Sequence, residues 1–484
     1  MSDSNGSPRV AVIGAGMSGI LSAIKLEERG IPFEIFEKAD RIGGTWRENT
    51  YPGLSCDVPS HAYTYSFARN PDWSQWFAPG PEIQNYFQGV ADRFGVTGRV
   101  RFGDEVTSLE FRDGAWDLGT AAGYTGRFEA VIAATGVLHH PNVPDIAGLD
   151  SFAGDCFHTA RWDHSVPLDG RRVGVIGTGS TAVQITSALV GKVSHFSLFQ
   201  RTPQWVIGGE SRHFTDEEKA SYRRDPASLE AFVAQVKQGM REGIAEAVID
   251  VESIQLAKIQ HLCEKNLDTV RDPELREKLR PSYRAACKRL IFSPDFYDAI
   301  QHPNAELVTS GIKAIEPGGV RTNDGVLHEL DVLVLATGFK VDRFVRPIRV
   351  IGRDGVDLDQ AWADGPRAHL SITVPGFPNF FMLNGPNGPV GNFSLIDVAE
   401  LQLGYVLQLI EPMREGRWRE VMVTEEATEA FEAERRAAAA NTVWSTGCNS
   451  WYLDRHGVPA TWTFSWDRFC DEMAAPKLAA FDVR

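Results

Sequence analysis

The stretch RVAVIGAGMSGILSAIKLEERG, residues 9–30, decides how the chain folds. A β-branched run from Val10 to Ile13 stops at Gly14, and apolar residues then recur at helical spacing until Gly30, a C-cap residue. FEIFEK, residues 33–38, is a second strand, so the chain opens on a βαβ unit. The turn carries Gly14, Gly16 and Gly19. The first glycine permits the tight bend, the second lets backbone approach a pyrophosphate, and the third lets helix and strand pack closely. The helix start then faces an anion. Glu37 ends the second strand, where its carboxylate would accept a hydrogen bond from a ribose 2′-hydroxyl and repel a 2′-phosphate. The first site is therefore expected to take FAD or NAD and not NADP.

The pattern returns in RRVGVIGTGSTAVQITSALVGKV, residues 171–193, with Gly177, Gly179 and, in the third position, Ala182. Its next strand ends in Gln200-Arg201-Thr202, where a cation replaces the acid. An arginine there suits a 2′-phosphate, so this second site reads as NADPH. Two further buried-looking strands end alike, AVIAATG at Gly136 and DVLVLATG at Gly338. The expected fold is α/β, with two Rossmann-like dinucleotide-binding domains for FAD and NADP, the second inserted into the first. A helical insertion interrupts the NADP domain. The expected boundaries are 1–150 for the first part of the FAD domain and 151–168 for a linker. The first part of the NADP domain follows at 169–210 and the charged, helix-rich insertion at 211–287. Residues 288–338 complete the NADP domain and return the chain, and 339–484 hold the rest of the FAD domain and a helical, aromatic C-terminal region.

Composition narrows the function classes. The 484 residues are 43% hydrophobic and 23% charged, as in an ordinary globular chain, with a net charge of -15. That acidity argues against nucleic acid or an anionic membrane as partner. No apolar run suggests a membrane span, MSDSNGSPRV lacks a signal-peptide core, and a cytoplasmic location is expected. The six cysteines, at 56, 156, 263, 287, 448 and 470, form no CxxC pair and no zinc spacing. They are expected to be reduced thiols, and no metal site is expected.

Two more stretches add specificity. GGTWRENTYPGLSCDVPSHAYTYSF, residues 43–67, contains Gly44, Trp46, Tyr51, Pro52, Gly53 and Asp57. FAGDCFHTARWD, residues 152–163, carries Phe152, Gly154, His158, Trp162 and Asp163 in a linker without obvious helix or strand. Together with both glycine turns, these residues resemble the type I Baeyer–Villiger monooxygenases, within the class B flavoprotein monooxygenases. The family fingerprint F-x-G-x-x-x-H-x-x-x-W, followed by Pro or Asp, is filled at every position. So is G-x-W-x(4)-Y/F-P-G-x-x-x-D. The resemblance runs from about residue 9 to 392 and more loosely to 452; the C-terminal region matches poorly.

The resemblance implies an FAD- and NADPH-dependent enzyme that consumes O2 and converts a small ketone to an ester or lactone through a C4a-peroxyflavin. Arg289 would stabilise that peroxide as the anion, and Asp57 would orient Arg289. Lys288, beside it, would help to bind the 2′-phosphate. FAD would lie on Gly14, Gly16, Met17, Ser18, Gly19, Glu37, Lys38, Gly44, Thr45, Trp46, Asp57, Val58, Tyr63, Val106, Thr135 and Gly136. NADP would lie on Gly177, Thr178, Gly179, Ser180, Thr181, Gln184, Arg201, Thr202, Lys288, Arg289, Thr337 and Trp451. His158 is expected to bond across the domain joint, to change charge near neutral pH, and so to couple NADP binding to domain position. Two rival readings are an N- or S-oxygenating flavin monooxygenase and an NADPH oxidase-like flavoprotein that only shuttles electrons.

Overall fold

The computed structural model describes residues 8–209 and 211–484. Val10–Ile13, Met17–Glu28 and Phe33–Glu37 form the strand, helix and strand expected of the first unit. Every residue of Val10–Ile13 is buried, which is what an unbroken apolar run in a parallel sheet requires. The five parallel strands run in the order 380–382, 130–133, 10–13, 33–37, 100–102. The strand 380–382 enters from far along the chain. The first unit is thus completed only after the second has been built.

The second unit repeats the logic. Its five parallel strands run 305–308, 195–199, 172–176, 332–335, 155–158. The edge strand corrects one expectation. Asp155–His158, inside the linker, pairs with Val332–Leu335 and belongs to this sheet. Its four residues are too few, and too exposed at Asp155 and Cys156, to show alternation in sequence. Three antiparallel strands, Val106–Arg112, Ala115–Thr120 and Thr125–Phe128, back the first sheet and were not read from sequence.

Residues 211–287 are largely helical, in the segments Asp216–Arg224, Pro226–Met240, Glu246–Ile249, Ile254–Leu267 and Pro273–Leu279. A single π-helical turn, Arg241–Ala245, interrupts the run. Side-chain caps at Thr215, Asp225, Ser253 and Asp272 start four of these helices. The aromatic C-terminus packs inward: Trp462 and Phe469 are fully buried, and Phe481–Val483 pairs with Val421–Val423.

The two chain segments joining the units run side by side in opposite directions. Asn142 N donates to Gly338 O at 2.8 Å, and Lys340 N donates to His140 O at 2.9 Å. The Thr337 hydroxyl donates to Asn142 O at 2.6 Å.

Candidate active site

Both glycine turns show why glycine is needed. Gly14 has φ +101°, and a Cβ on it would lie 2.6 Å from Ala134 O. Gly177 has φ +125°, and a Cβ there would run into Ala336 O. The helices that follow, Met17–Glu28 and Ser180–Leu189, start without a side-chain cap and without an acid in the first turn. Their first backbone N–H groups are therefore left to an anion.

Their second strands differ sharply. Glu37 accepts from Ala15 N at 2.8 Å and Ala39 N at 3.0 Å, and Arg47 Nη1 stands 3.2 Å away. Both side chains of that ion pair are only 6% exposed. Arg47 was missed in sequence; it sits between Trp46 and Glu48 with no motif marking it. Arg201 is exposed and close enough to Lys288 that its charge adds to burial in lowering the lysine's pKa. Among the described residues neither cation forms an ion pair. Thr178 Oγ1 donates to Thr202 O at 2.7 Å, fixing the turn against this strand end.

Gln184, expected at the NADP pyrophosphate, is tied to the first unit. It lies one turn into its helix, accepts from Tyr51 OH at 2.8 Å and donates to Ser55 O at 3.0 Å. Thr181 also donates to Tyr51 OH, at 3.4 Å. A Cβ on Gly53 would lie 2.6 Å from the backbone carbonyl of Gln184, so glycine lets the two units approach backbone to backbone. The Tyr51-Pro52-Gly53 motif is thus the joint between the units. Thr337 likewise spends its hydroxyl on the paired linkers.

The 152–163 stretch is a second part of that joint. A Cβ on Gly154 would meet the Asp331 carbonyl and stand 2.8 Å from the Phe152 ring. Trp162 packs edge-on against Phe157 at 5.0 Å. Asp163 accepts from Ser165 N at 2.9 Å and Ser165 Oγ at 2.6 Å, closing the turn. Arg161 pairs with Glu48 at 2.7 Å and His164 with Thr50 at 2.8 Å, tying the stretch to the segment behind Trp46. His158 sits at the joint as expected. Its Nδ1 accepts from Ala160 N at 3.1 Å as a local cap. Burial lowers its pKa, and the backbone of Gly338 on the return linker opposes that shift. Its ring meets Phe339 on the same linker edge-on at 6.0 Å.

Asp57 and Arg289, 232 residues apart, meet in a two-pronged ion pair. Arg289 Nε donates to Asp57 Oδ2 at 3.0 Å and Nη2 to Oδ1 at 2.6 Å. Their side chains are 30% and 26% exposed, so one face of the guanidinium is open. Burial opposes its charge, but Asp57 and Tyr452 outweigh that and hold its pKa above the ordinary arginine value. The pair lies on a cavity of about 190 Å³. Phe77, Met240, Ile244, Val248, Phe292 and Trp444 make its wall largely apolar. Ile244 lies within the π-turn and Met240 and Val248 on either side of it, so the insertion meets the cavity around this turn.

Trp451 is not at the cavity. It is 38% exposed and stacks on Tyr452 at 4.2 Å, while Tyr452 is buried and lines the cavity. Trp451 forms the solvent side of that stack in a turn, and the residue that faces the cavity is Tyr452. Cys287 and Cys448 correct the reduced-thiol expectation: they are disulfide-bonded across 161 residues. Cys56, Cys156, Cys263 and Cys470 are free.

The residues around the first turn fit FAD. Trp46 Nε1 donates to Tyr63 OH at 3.2 Å, and the two rings meet edge to face at 5.7 Å. The loop 384–392, missed in sequence, reaches Ser18, whose Oγ accepts from Asn384 Nδ2 at 3.2 Å. Asn384 and Asn387 both hold positive φ, and each keeps a buried Oδ1 without a donor. Buried polar atoms without partners call for a ligand that supplies them. The repeated Asn-Gly pairs in NGPNG were the available signal. Asp57 and Val58 of the first set line the Arg289 cavity, and Val106 is sealed in the core behind the sheet with Phe36 and Ala11.

The flavin-binding monooxygenase-like family model matches residues 7–346. An uncharacterized monooxygenase of Mycobacterium tuberculosis is 49% identical over 471 residues, covering 95% of this chain and 92% of that protein. A Baeyer-Villiger monooxygenase of Streptomyces coelicolor is 38% identical over 485 residues, covering 98% and 92%. Among solved structures, cyclohexanone monooxygenase from Rhodococcus sp. Phi1 bound to NADP+ superposes with a TM-score of 0.88 at 30% identity, covering 99% of each chain. A complex of OTEMO with FAD and NADP reaches 0.89 at 26% identity, covering 99% and 100%.

Proposed function

The chain belongs to the flavin-binding monooxygenase-like family, and on that footing we propose that it is a Baeyer–Villiger monooxygenase. It uses FAD, NADPH and O2 to convert an apolar ketone to an ester or lactone. The observation that carries this reading is the Asp57–Arg289 pair on an apolar cavity. FAD, reduced by NADPH, supplies the oxygen-activating chemistry when bound. The chain's own residues do the rest.

Arg289 is a fixed cation whose pKa stays above the arginine range, so it donates hydrogen bonds to an anionic oxygen without giving up its proton. A carboxylate on its back edge keeps the fork aimed; without Asp57, a half-buried cation would swing or attract water. The apolar wall excludes water, which strengthens every charge interaction inside and favours ketones over charged substrates. Lys288 and Arg201 form the two-cation seat for the 2′-phosphate of NADPH. Asn384 and Asn387, with the uncapped helix start, hold FAD.

An Arg289→Ala variant is expected to keep measurable flavin reduction by NADPH and to lose at least about 100-fold in ester yield, the scale for a preorganised charge contact. Normal ester yield in that variant would refute the assignment. A panel of cyclic ketones and thioethers separates the reactions: sulfoxide with no ester or lactone from any ketone overturns the Baeyer–Villiger reading.

A further inference from the structure

The disulfide lies in sequence and in space beside the residues of the Arg289 site. Cys287 immediately precedes Lys288 and Arg289, and Cys448 lies four residues before Tyr452. The pair closes the distance between two segments, 280–290 and 447–460, that contain no helix or strand. Among the described residues no backbone hydrogen bond joins these segments. Beyond apolar packing, they are tied by the sulfur bond, by Thr446 Oγ1 resting 3.6 Å from Cys287 Sγ, and by the contact of Tyr452 with Arg289. The crosslink therefore sets how firmly Tyr452 is held against the guanidinium.

Its surroundings connect it to the chemistry. Ala286 and Lys288, on either side of Cys287, line the cavity, as do Trp444 and Tyr452 on either side of Cys448. Both sulfurs lie one layer of side chains behind the wall, Cys287 fully buried and Cys448 5% exposed. A small neutral oxidant formed in the cavity has a short path to them. A bulky protein reductant has none without opening the loop.

We propose that Cys287 and Cys448 are a reversible dithiol–disulfide couple, oxidised by hydrogen peroxide that escapes unproductive turnover, and that the disulfide tightens the Arg289 site so that less peroxide escapes. This rests on the oxygenase reading above. The balance is simple. The Cys448 thiol releases its proton, the thiolate attacks one peroxide oxygen, the O–O bond breaks, a sulfenic acid forms, and the leaving hydroxide takes up the released proton as water. The thiol of Cys287 then displaces the hydroxyl, the S–S bond forms and a second water leaves. The two sulfurs together lose two electrons and one peroxide gains them. A small dithiol reverses the bond by exchange. Leaky turnover would thus close its own leak.

The test uses the purified, FAD-loaded enzyme, first reduced with dithiothreitol and desalted, then treated with hydrogen peroxide or left alone. Differential alkylation with peptide mass spectrometry is expected to find 287 and 448 alkylated before peroxide and linked to each other after it. With a ketone that turns over, the reduced enzyme is expected to release several-fold more peroxide per ester than the oxidised enzyme. Cys448→Ser and Cys287→Ser should leak like the reduced form whether or not peroxide was added. The rate of flavin reduction by NADPH should be unchanged throughout. Unlinked 287 and 448 after peroxide, or equal peroxide-to-product ratios in the two states, overturns the proposal. If thioethers are oxygenated but no ketone is, the ketone reading falls, and the same ratio measured with the thioether still decides the couple.

Discussion

The two glycine turns share a backbone and differ in what surrounds their second strand. In the first unit the acid, Glu37, is buried and fully engaged by two backbone N–H groups and Arg47. In the second, Arg201 and Lys288 are like charges near each other, and neither has an ion-pair partner among the described residues. One turn is a finished structural element that also presents a carboxylate edge. The other is electrostatically incomplete and gains from an anion. The same fold thereby separates stability from coenzyme choice, placing each on a different turn.

Substitutions at equivalent places should therefore fail in different currencies. The largest effect is expected at Glu37→Ala, which leaves two backbone donors unpaired and strips the buried Arg47 guanidinium of one of its two carboxylate partners, Glu48 remaining. Breaking a buried pair costs about 3–5 kcal/mol, and the retained Glu48 contact puts the loss at the low end of that range. Urea denaturation of the apoprotein should show that loss before any cofactor is added; an unchanged midpoint would erase the contrast. Arg201→Ala should leave the same midpoint within about 0.5 kcal/mol, as exposed substitutions do. It should instead raise KM for NADPH about tenfold, the loss of one charge-assisted phosphate contact, with little change for NADH. Equal effects on both coenzymes would place the 2′-phosphate elsewhere.

The smallest effect is a pH shift. Burial, with the Arg201 charge added, lowers the pKa of Lys288, so on raising the pH it sheds its proton before an ordinary lysine does. The kcat/KM for NADPH, which reports the free enzyme, should fall relative to that for NADH on the alkaline side. In Arg201→Ala that fall should move to higher pH. A coenzyme ratio flat across the alkaline range would remove Lys288 from the phosphate seat.

What was legible in sequence follows the same division. Gly14, Gly53, Gly154 and Gly177 were legible because backbone crowding leaves glycine alone at those places, and crowding leaves a motif. The meeting of Asp57 with Arg289 was legible only through family resemblance, since 232 residues separate them. Side-chain direction in loops was not legible: Trp451 was read as facing in, and Tyr452 does. Gln184 shows the same limit, because a helix position tells which face a residue takes but not that Tyr51 and Ser55 await it. The cysteine pair was beyond reach, since six cysteines at irregular spacing carry no connectivity. The strand 155–158 was hidden because it is short and exposed at Asp155 and Cys156, and its partner, 332–335, is the last strand of that sheet in the chain.

The paired linkers have a mechanical consequence. A domain on one tether swivels about every axis. Two tethers hydrogen-bonded side by side, as at Asn142–Gly338 and His140–Lys340, make a ribbon. A ribbon bends easily across its plane, resists bending within it, and does not stretch. Two such tethers, with the Tyr51–Gln184 hydrogen bond as a third point of attachment, hold the second unit against free rotation about its joint.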